Sequence, residues 1–191
     1  MAAAKKAGAK VSVDLNYRKK LWTEAQAQAA MRPLMASVDV VIANEEDLQS
    51  VLGVHVSGTD VTSGTLNVTA YRDAAEWVTE KLGPPLVAIT LRESLSASDN
   101  GWSAVLWDGD ARILHQSQRY SVRLVDRIGG GDSFAAGLIY GLVTGRSKED
   151  SLRFAVAASA LKQTIPGDFN RVSVAEVDAL AKGDASGRVQ R

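Results

Sequence analysis

Val125-Asp126-Arg127-Ile128-Gly129-Gly130-Gly131-Asp132-Ser133-Phe134-Ala135-Ala136-Gly137 runs three glycines straight into an apolar segment. Glycine lets the backbone come close to a ligand. The residues that follow, Asp132 to Val143, are predicted as a helix whose first N–H groups point back at the same spot, which makes an anion site. Asp132 is the odd member, because a carboxylate repels a bound phosphate unless its task is to take a proton from a hydroxyl that attacks that phosphate. A glycine cradle beside a base fits phosphoryl transfer to an alcohol. Taken alone, Gly-Gly-Gly-Asp is equally a plain helix cap with a first-turn acid. The Lys-Ser/Thr pair of a Walker loop is missing and the spacing does not give G-x-G-x-x-G, so neither of those nucleotide motifs is supported.

The chain has 191 residues, 46% of them hydrophobic, which suits one ordinary globular domain over residues 1–191 with a tail from Lys182 to Arg191 that frays. Lys+Arg and Asp+Glu both total 22, and zero net charge argues against a general nucleic-acid or anionic-membrane binder. Small, specific ligands fit better. Cysteine is absent, so a disulfide framework, a thiolate zinc site and a cysteine nucleophile are all excluded. Met1 to Lys10 lacks the apolar stretch of an export signal, and no apolar run is long enough to span a bilayer. The expected compartment is the cytoplasm.

Working outward, Val11 to Asn16 reads as a short strand preceded by the tail of a helix that ends at Gly8. Thr23 and Gln26 form a capping box at the start of a helix that Pro33 interrupts. Val38 to Ala43 reads as a buried strand, Asn44 to Leu52 as a short helix closed by Gly53, and Gly53 to Asn67 as a Gly/Ser/Thr-rich loop. Val68 to Leu82 is an amphipathic helix with Ala75, Trp77, Val78 and Leu82 inward. Leu86 to Thr90 is a near-continuous apolar strand of the kind found inside parallel sheets. Trp102–Trp107 and Arg112–Tyr120 read as a hairpin turned at Asp108-Gly109. Two more helices are predicted, at Ser151–Gln163 and Val174–Ala181. This alternation implies an α/β fold with an open, mainly parallel sheet and flanking helices, whose ligands sit at the strand C-termini.

Asp126-x-x-Gly129-Gly130-Gly131-Asp132-x-Phe134-x-x-Gly137 resembles the second signature of the PfkB, or ribokinase-like, carbohydrate kinases. The resemblance implies that Gly129, Gly130 and Gly131 form the anion hole for the transferring phosphate and that Asp132 deprotonates the sugar hydroxyl. Arg127 departs from the pattern, which has a small residue there. Asp14-Leu15-Asn16-Tyr17-Arg18 with Leu21-Trp22 is similar to the corresponding stretch of 2-keto-3-deoxygluconate kinases. That similarity puts Arg18 on the substrate carboxylate, a role its planar fork suits, with Asn16 beside it. On spacing alone, Arg18 reads as half of a surface ion pair.

Asn44-Glu45-Glu46-Asp47 is explained by helix capping alone. In the resembling family an N-x-x-E motif stands here and organises magnesium and phosphate through water. Asn44 matches its first position, Asp47 replaces the Glu with a shorter reach, and Glu46 is a substitute. The same resemblance assigns Thr90, Arg92 and Gly167 to the nucleotide and Asp168 to the sugar. It departs at Thr90, which no glycine follows closely, and Pro166-Gly167 is also a simple turn. ATP and Mg²⁺ are the implied cofactors. His55 and His115 are isolated, and the four tryptophans read as packing residues.

The resemblance runs from about Val11 to Asp178 and matches the C-terminal part of such a kinase. It implies a ribokinase-like fold whose N-terminal strands and β-sheet lid are missing. Strands without neighbours would then expose apolar edges and favour a homo-oligomer. Two expectations follow: a kinase acting on a sugar acid, or a truncated, non-catalytic module for nucleotide binding or association.

Overall fold

The computed structural model describes residues 1–56 and 67–183. Most of the Gly/Ser/Thr-rich loop before Asn67, and the tail beyond Gly183, lie outside the described residues. The fold divides into two compact units, the first made of Met1–Glu93 with Ala104–Gln116, the second of Ser94–Ser103 with the chain from Ser117 onward.

In the first unit α1 (Ala2–Lys6) leads to β1 (Ser12–Asp14). The Thr23 capping box opens α2 (Glu24–Met31) as expected, and Pro33 diverts the chain into a 3₁₀ turn, Arg32–Ser37. β2 (Val40–Asn44) follows. Asn44 then caps the single turn α3 (Glu45–Asp47), which runs on as a π-type turn to Leu52 and stops at left-handed Gly53. α4 (Val68–Leu82) and β3 (Leu86–Ser94) come next. α4 buries Tyr71, Ala74, Ala75 and Val78, whereas Trp77 and Leu82, expected inward, are only partly buried.

β1, β2 and β3 pair in parallel, Val13 with Val41 and Val41 with Val87, and the strand order continues to β4 (Asp99–Asp108) and β5 (Ile113–Gln116). Val41, Val87 and Ile89 are fully buried beside Leu48, Leu52 and Val105 in one core. β-Branched residues covered on both faces account for the unbroken apolar runs in β2 and β3.

The predicted hairpin arm after Arg112 is not one strand. β5 pairs Val105 with Gln116, while β6 (Tyr120–Arg123) pairs Trp102 with Tyr120, so Ser117 to Arg119 face only Ser103 and Ala104. The extra residue is a bulge, which breaks pairing and re-aims the strand. At the turn, the Asp108 carboxylate accepts from the Asp110 and Ala111 amides at 3.2 and 3.3 Å. A Cβ on Gly109 would lie 2.6 Å from Thr79 Cγ2, so the turn approaches α4 too closely for any side chain.

The second unit holds α5 (Gly130–Val143), α6 (Lys148–Lys162) and α7 (Val174–Ala181). Gly137 and Gly141 bring α5 against α6: a Cβ at these positions would lie 2.9 Å from Ala155 Cα and 2.7 Å from Ser151 Cβ. Arg146 stacks 4.4 Å over the Phe154 ring while its guanidinium grips the Asp178 carboxylate, tying α7 to this pair.

Among the described residues the strand edges expected to be apolar are mostly polar. At the free edge, β1 turns Ser12 and Asp14 outward, and at the other edge β5 exposes Ile113. The most exposed large apolar side chains of the second unit are instead Phe169, Val143, Ile128 and Val125. Among the described residues no helix is long and apolar enough to cross a membrane.

Asp39 ties α1 to the first unit. Its carboxylate accepts from Lys5 Nζ at 2.9 Å and from the Val11 amide at 2.8 Å, with Lys10 Nζ at 3.5 Å. Burial pushes this carboxyl up, but the Val11 amide and then the two lysines more than offset it and hold it below the ordinary range. The stabilisation is therefore complete above the unfolded value of about 3.9 and lost as pH falls through the folded one. Asp39→Asn is expected to lower stability by about 1–2 kcal/mol at neutral pH. In urea titrations the gap to the unmodified chain should close below about pH 4, and a gap independent of pH would refute the assignment.

Candidate active site

In the second unit, β6 delivers the chain to the end of α6, where the Val125 and Asp126 amides both donate to the Gln163 carbonyl at 2.9 and 3.2 Å. The Asp126 carboxylate then joins two loops. One oxygen accepts from the Ile128 amide at 3.0 Å and the other from the Gly167 amide at 2.9 Å. These amides, Ile128 foremost, hold the Asp126 carboxyl below its ordinary range, with Lys162 adding to the effect.

Gly129 is the N-cap of α5 and takes φ +78°, and a Cβ there would overlap the carbonyl oxygen of Asp168. Only glycine meets both conditions. Gly130 is buried, its carbonyl accepting from Ser159 Oγ at 2.8 Å and its N–H donating to the Arg127 carbonyl at 3.2 Å. Gly131 stands in the open, with nothing within 4 Å of the place a Cβ would occupy.

The Ser133 amide turns back to the Gly129 carbonyl at 2.9 Å, which leaves the N–H groups of Gly131 and Asp132 without an acceptor among the described residues. Two adjacent free amides at the positive end of a fourteen-residue helix form an anion-binding feature. The Asp132 side chain is exposed and makes no hydrogen bond or ion pair with a described residue. Fully buried Phe134 and Leu138 anchor the helix below it. A free base and open amides on a rigidly seated helix start can accept a proton and bind an anion. Gly167 and Asp168 belong to the same cluster through the Asp126 bond and the Gly129 contact.

The first unit gathers the other candidates. Asn16 takes the left-handed φ of +40°, after which the Tyr17 amide donates to Asp47 Oδ1 at 2.9 Å. The Tyr17 hydroxyl donates to the Trp22 carbonyl at 3.2 Å, and exposed Arg18 donates to the Tyr17 carbonyl at 2.9 Å. Asn44 and Asp47 form a reciprocal capping box, with the Asp47 amide on Asn44 Oδ1 at 2.8 Å and the Asn44 amide on Asp47 Oδ2 at 3.3 Å. Burial pushes the Asp47 carboxyl above its ordinary value, against the pull of these amides and of Arg18. Glu46 is exposed. Thr90 pairs in register with Asn44, its hydroxyl reaching the Ala43 carbonyl at 3.4 Å, and Arg92 lies two residues further on, exposed. Among the described residues no group of three or more His, Asp or Glu side chains forms a metal cage.

Ser159, Lys162 and Gln163 were not foreseen as parts of the site. Lys162 is fully buried with Nζ 3.3 Å from the Ile165 carbonyl. Their signal was available: polar side chains three and four residues apart in the stretch 155–163, which is otherwise alanine, valine and leucine.

Comparison with known proteins places this arrangement. Residues 1–171 match the pfkB family carbohydrate kinases. The chain is 28% identical over 187 residues to the 2-dehydro-3-deoxygalactonokinase of Haloferax volcanii, covering 98% of this chain and 52% of the relative. The crystal structure of 2-dehydro-3-deoxygluconokinase from Thermotoga maritima is 48% identical with a TM-score of 0.88, over 95% of this chain and 53% of that one. Arabidopsis thaliana ribokinase, solved with ribose and ATP, is 25% identical with a TM-score of 0.64, over 95% of this chain and 50% of that one. The chain thus spans about half the length of the relatives it matches. Its open mixed sheet with a parallel core and flanking helices is the ribokinase-like fold, and the chain belongs to the pfkB family of carbohydrate kinases.

Proposed function

We propose that this chain carries the phosphoryl-transfer part of a cytoplasmic kinase that moves the γ-phosphate of ATP to a hydroxyl of a sugar acid, 2-keto-3-deoxygluconate being the first candidate. The observation that carries the reading is the pair of free amides on Gly131 and Asp132 beside the unpaired Asp132 carboxylate. The amides hold the migrating phosphoryl group, with Gly129 and Gly130 shaping the turn that presents them. Asp132 takes the proton from the acceptor hydroxyl as its oxygen attacks phosphorus and the bond to ADP breaks.

Arg18 binds the substrate carboxylate, with Asn16 at the same turn and Asp168 on the sugar. Asn44, Thr90, Arg92 and Gly167 fall to the nucleotide by resemblance. Magnesium, when bound with ATP, would supply charge neutralisation at the phosphates. The resemblance assigns Glu46 and Asp47 to the ion; exposed Glu46 would be placed to face it, whereas both Asp47 oxygens are already taken by backbone amides.

The test is ATP-dependent phosphorylation of 2-keto-3-deoxygluconate against a neutral sugar. Arg18→Ala is expected to raise KM for the acid by about 10- to 100-fold, the worth of a charge-assisted pair, with a much smaller effect on the neutral sugar. Equal effects on both remove the case for a carboxylate. A second reading is favoured by the chain's span, about half that of its relatives: a nucleotide-binding or association module without turnover. ATP binding with no phosphorylated product would establish it.

A further inference from the structure

Asp47 holds the loop after β1, and its two oxygens are both already engaged by backbone amides. Oδ1 accepts from Tyr17 at 2.9 Å, thirty residues away in the chain, and Oδ2 from Asn44 at 3.3 Å. The residue is buried at 6% exposure. What it grips is a tight turn: Asn16 sits at φ +40°, the left-handed region that asparagine enters more readily than other side-chain-bearing residues. Immediately beyond, Arg18 caps the Tyr17 carbonyl at 2.9 Å and its own carbonyl accepts from Leu21 at 2.8 Å. The two peptide units that flank Tyr17 are thus held, the first through its N–H by Asp47 and the second through its C=O by Arg18.

From this geometry we infer that Asp47 is a positioning residue for the Asn16–Arg18 arm and not a ligand of the magnesium that travels with ATP. The Asp47 carboxylate does both tasks at once, Oδ2 closing the capping box with Asn44 while Oδ1 reaches the Tyr17 amide. The inference rests on the proposed sugar-acid reading for its consequence, the aim of Arg18 at a carboxylate, but the link itself stands on contacts within one unit.

The experiment uses the whole chain and three readouts: amide exchange at Tyr17 by NMR, calorimetric affinity for 2-keto-3-deoxygluconate, and the Mg²⁺ concentration that half-saturates ATP binding. In the unmodified chain the Tyr17 amide should exchange at least about tenfold more slowly than the amide of exposed Lys19. Asp47→Ala should remove that protection and weaken the sugar acid by about tenfold, with the Mg²⁺ midpoint moved less than about twofold. Asp47→Asn, which keeps one acceptor for the Tyr17 amide but loses the charge and the acceptor for the Asn44 amide, should retain the Tyr17 protection and most of the affinity.

A Tyr17 amide as unprotected as Lys19, or a Mg²⁺ midpoint shifted in the Asn variant, overturns the inference. Should Asp47→Ala fail to fold, the unmodified chain and the Asn variant still decide. Should the chain bind no sugar acid at all, the proposed substrate falls while the exchange data continue to test the link.

Discussion

Asp132→Asn is expected to lower phosphoryl transfer by about 10²- to 10⁴-fold, the range a positioned general base contributes. Nucleotide affinity should stay within about fivefold, because the amides of Gly131 and Asp132 belong to the backbone and survive the change. Removing one exposed negative charge near phosphate oxygens relieves repulsion worth at most about 1 kcal/mol in water. Any shift in ATP binding should therefore be toward tighter, and the protein should not unfold, since the Asp132 side chain bonds no described residue. Rapid-quench turnover with calorimetric ATP binding on the same preparation separates the two effects. Parallel loss of binding and turnover would make Asp132 a mere helix-cap residue, and unchanged turnover would move the base elsewhere.

Period and punctuation made much of this fold legible. The apolar runs read at Val38–Ala43 and Leu86–Thr90 announced doubly covered strands, found at Val40–Asn44 and Leu86–Ser94, and the Thr23–Gln26 box and Gly53 marked helix ends where they occur. The bulge at Ser117–Arg119 was not legible, because a one-residue slip depends on which partner residues meet across the ladder and leaves no local signal. Asn44 to Asp47 was read correctly as a capped turn. The reach of Asp47 across to Tyr17 is a tertiary contact that capping propensity does not encode.

In the glycine loop, spacing marked the three glycines but not what holds them. Ser159 and Gln163 sit on the following helix and touch Gly130 only once α5 and α6 have packed. Gly141 lay outside the recognised pattern, yet a Cβ there would lie 2.7 Å from Ser151 Cβ and part the two helices. Sequence motifs mark residues that meet the ligand, whereas the residues that hold those in place are selected by packing.

That division predicts opposite behaviour for two neighbouring glycines. Gly129→Ala is expected to destabilise the chain by about 2–5 kcal/mol, combining the penalty of an L-residue in the left-handed region with overpacking against Asp168. This is a large share of the 5–15 kcal/mol typical of a domain. The overlap is with backbone, so no rotamer relieves it. The loops bearing Gly129 and Asp168 must separate, which also strains the Asp126 bond to the Gly167 amide.

Gly131→Ala meets nothing within 4 Å and lies in the first turn of α5 at an ordinary φ. Its stability should be unchanged or higher by up to about 1 kcal/mol from helix propensity. Its ATP affinity should nonetheless fall, because the added methyl occupies the approach to the free amides. Urea midpoints paired with calorimetric ATP binding give the four values. If the two variants unfold together, or Gly131→Ala binds nucleotide as the unmodified chain does, the open face of the turn is not where phosphate sits.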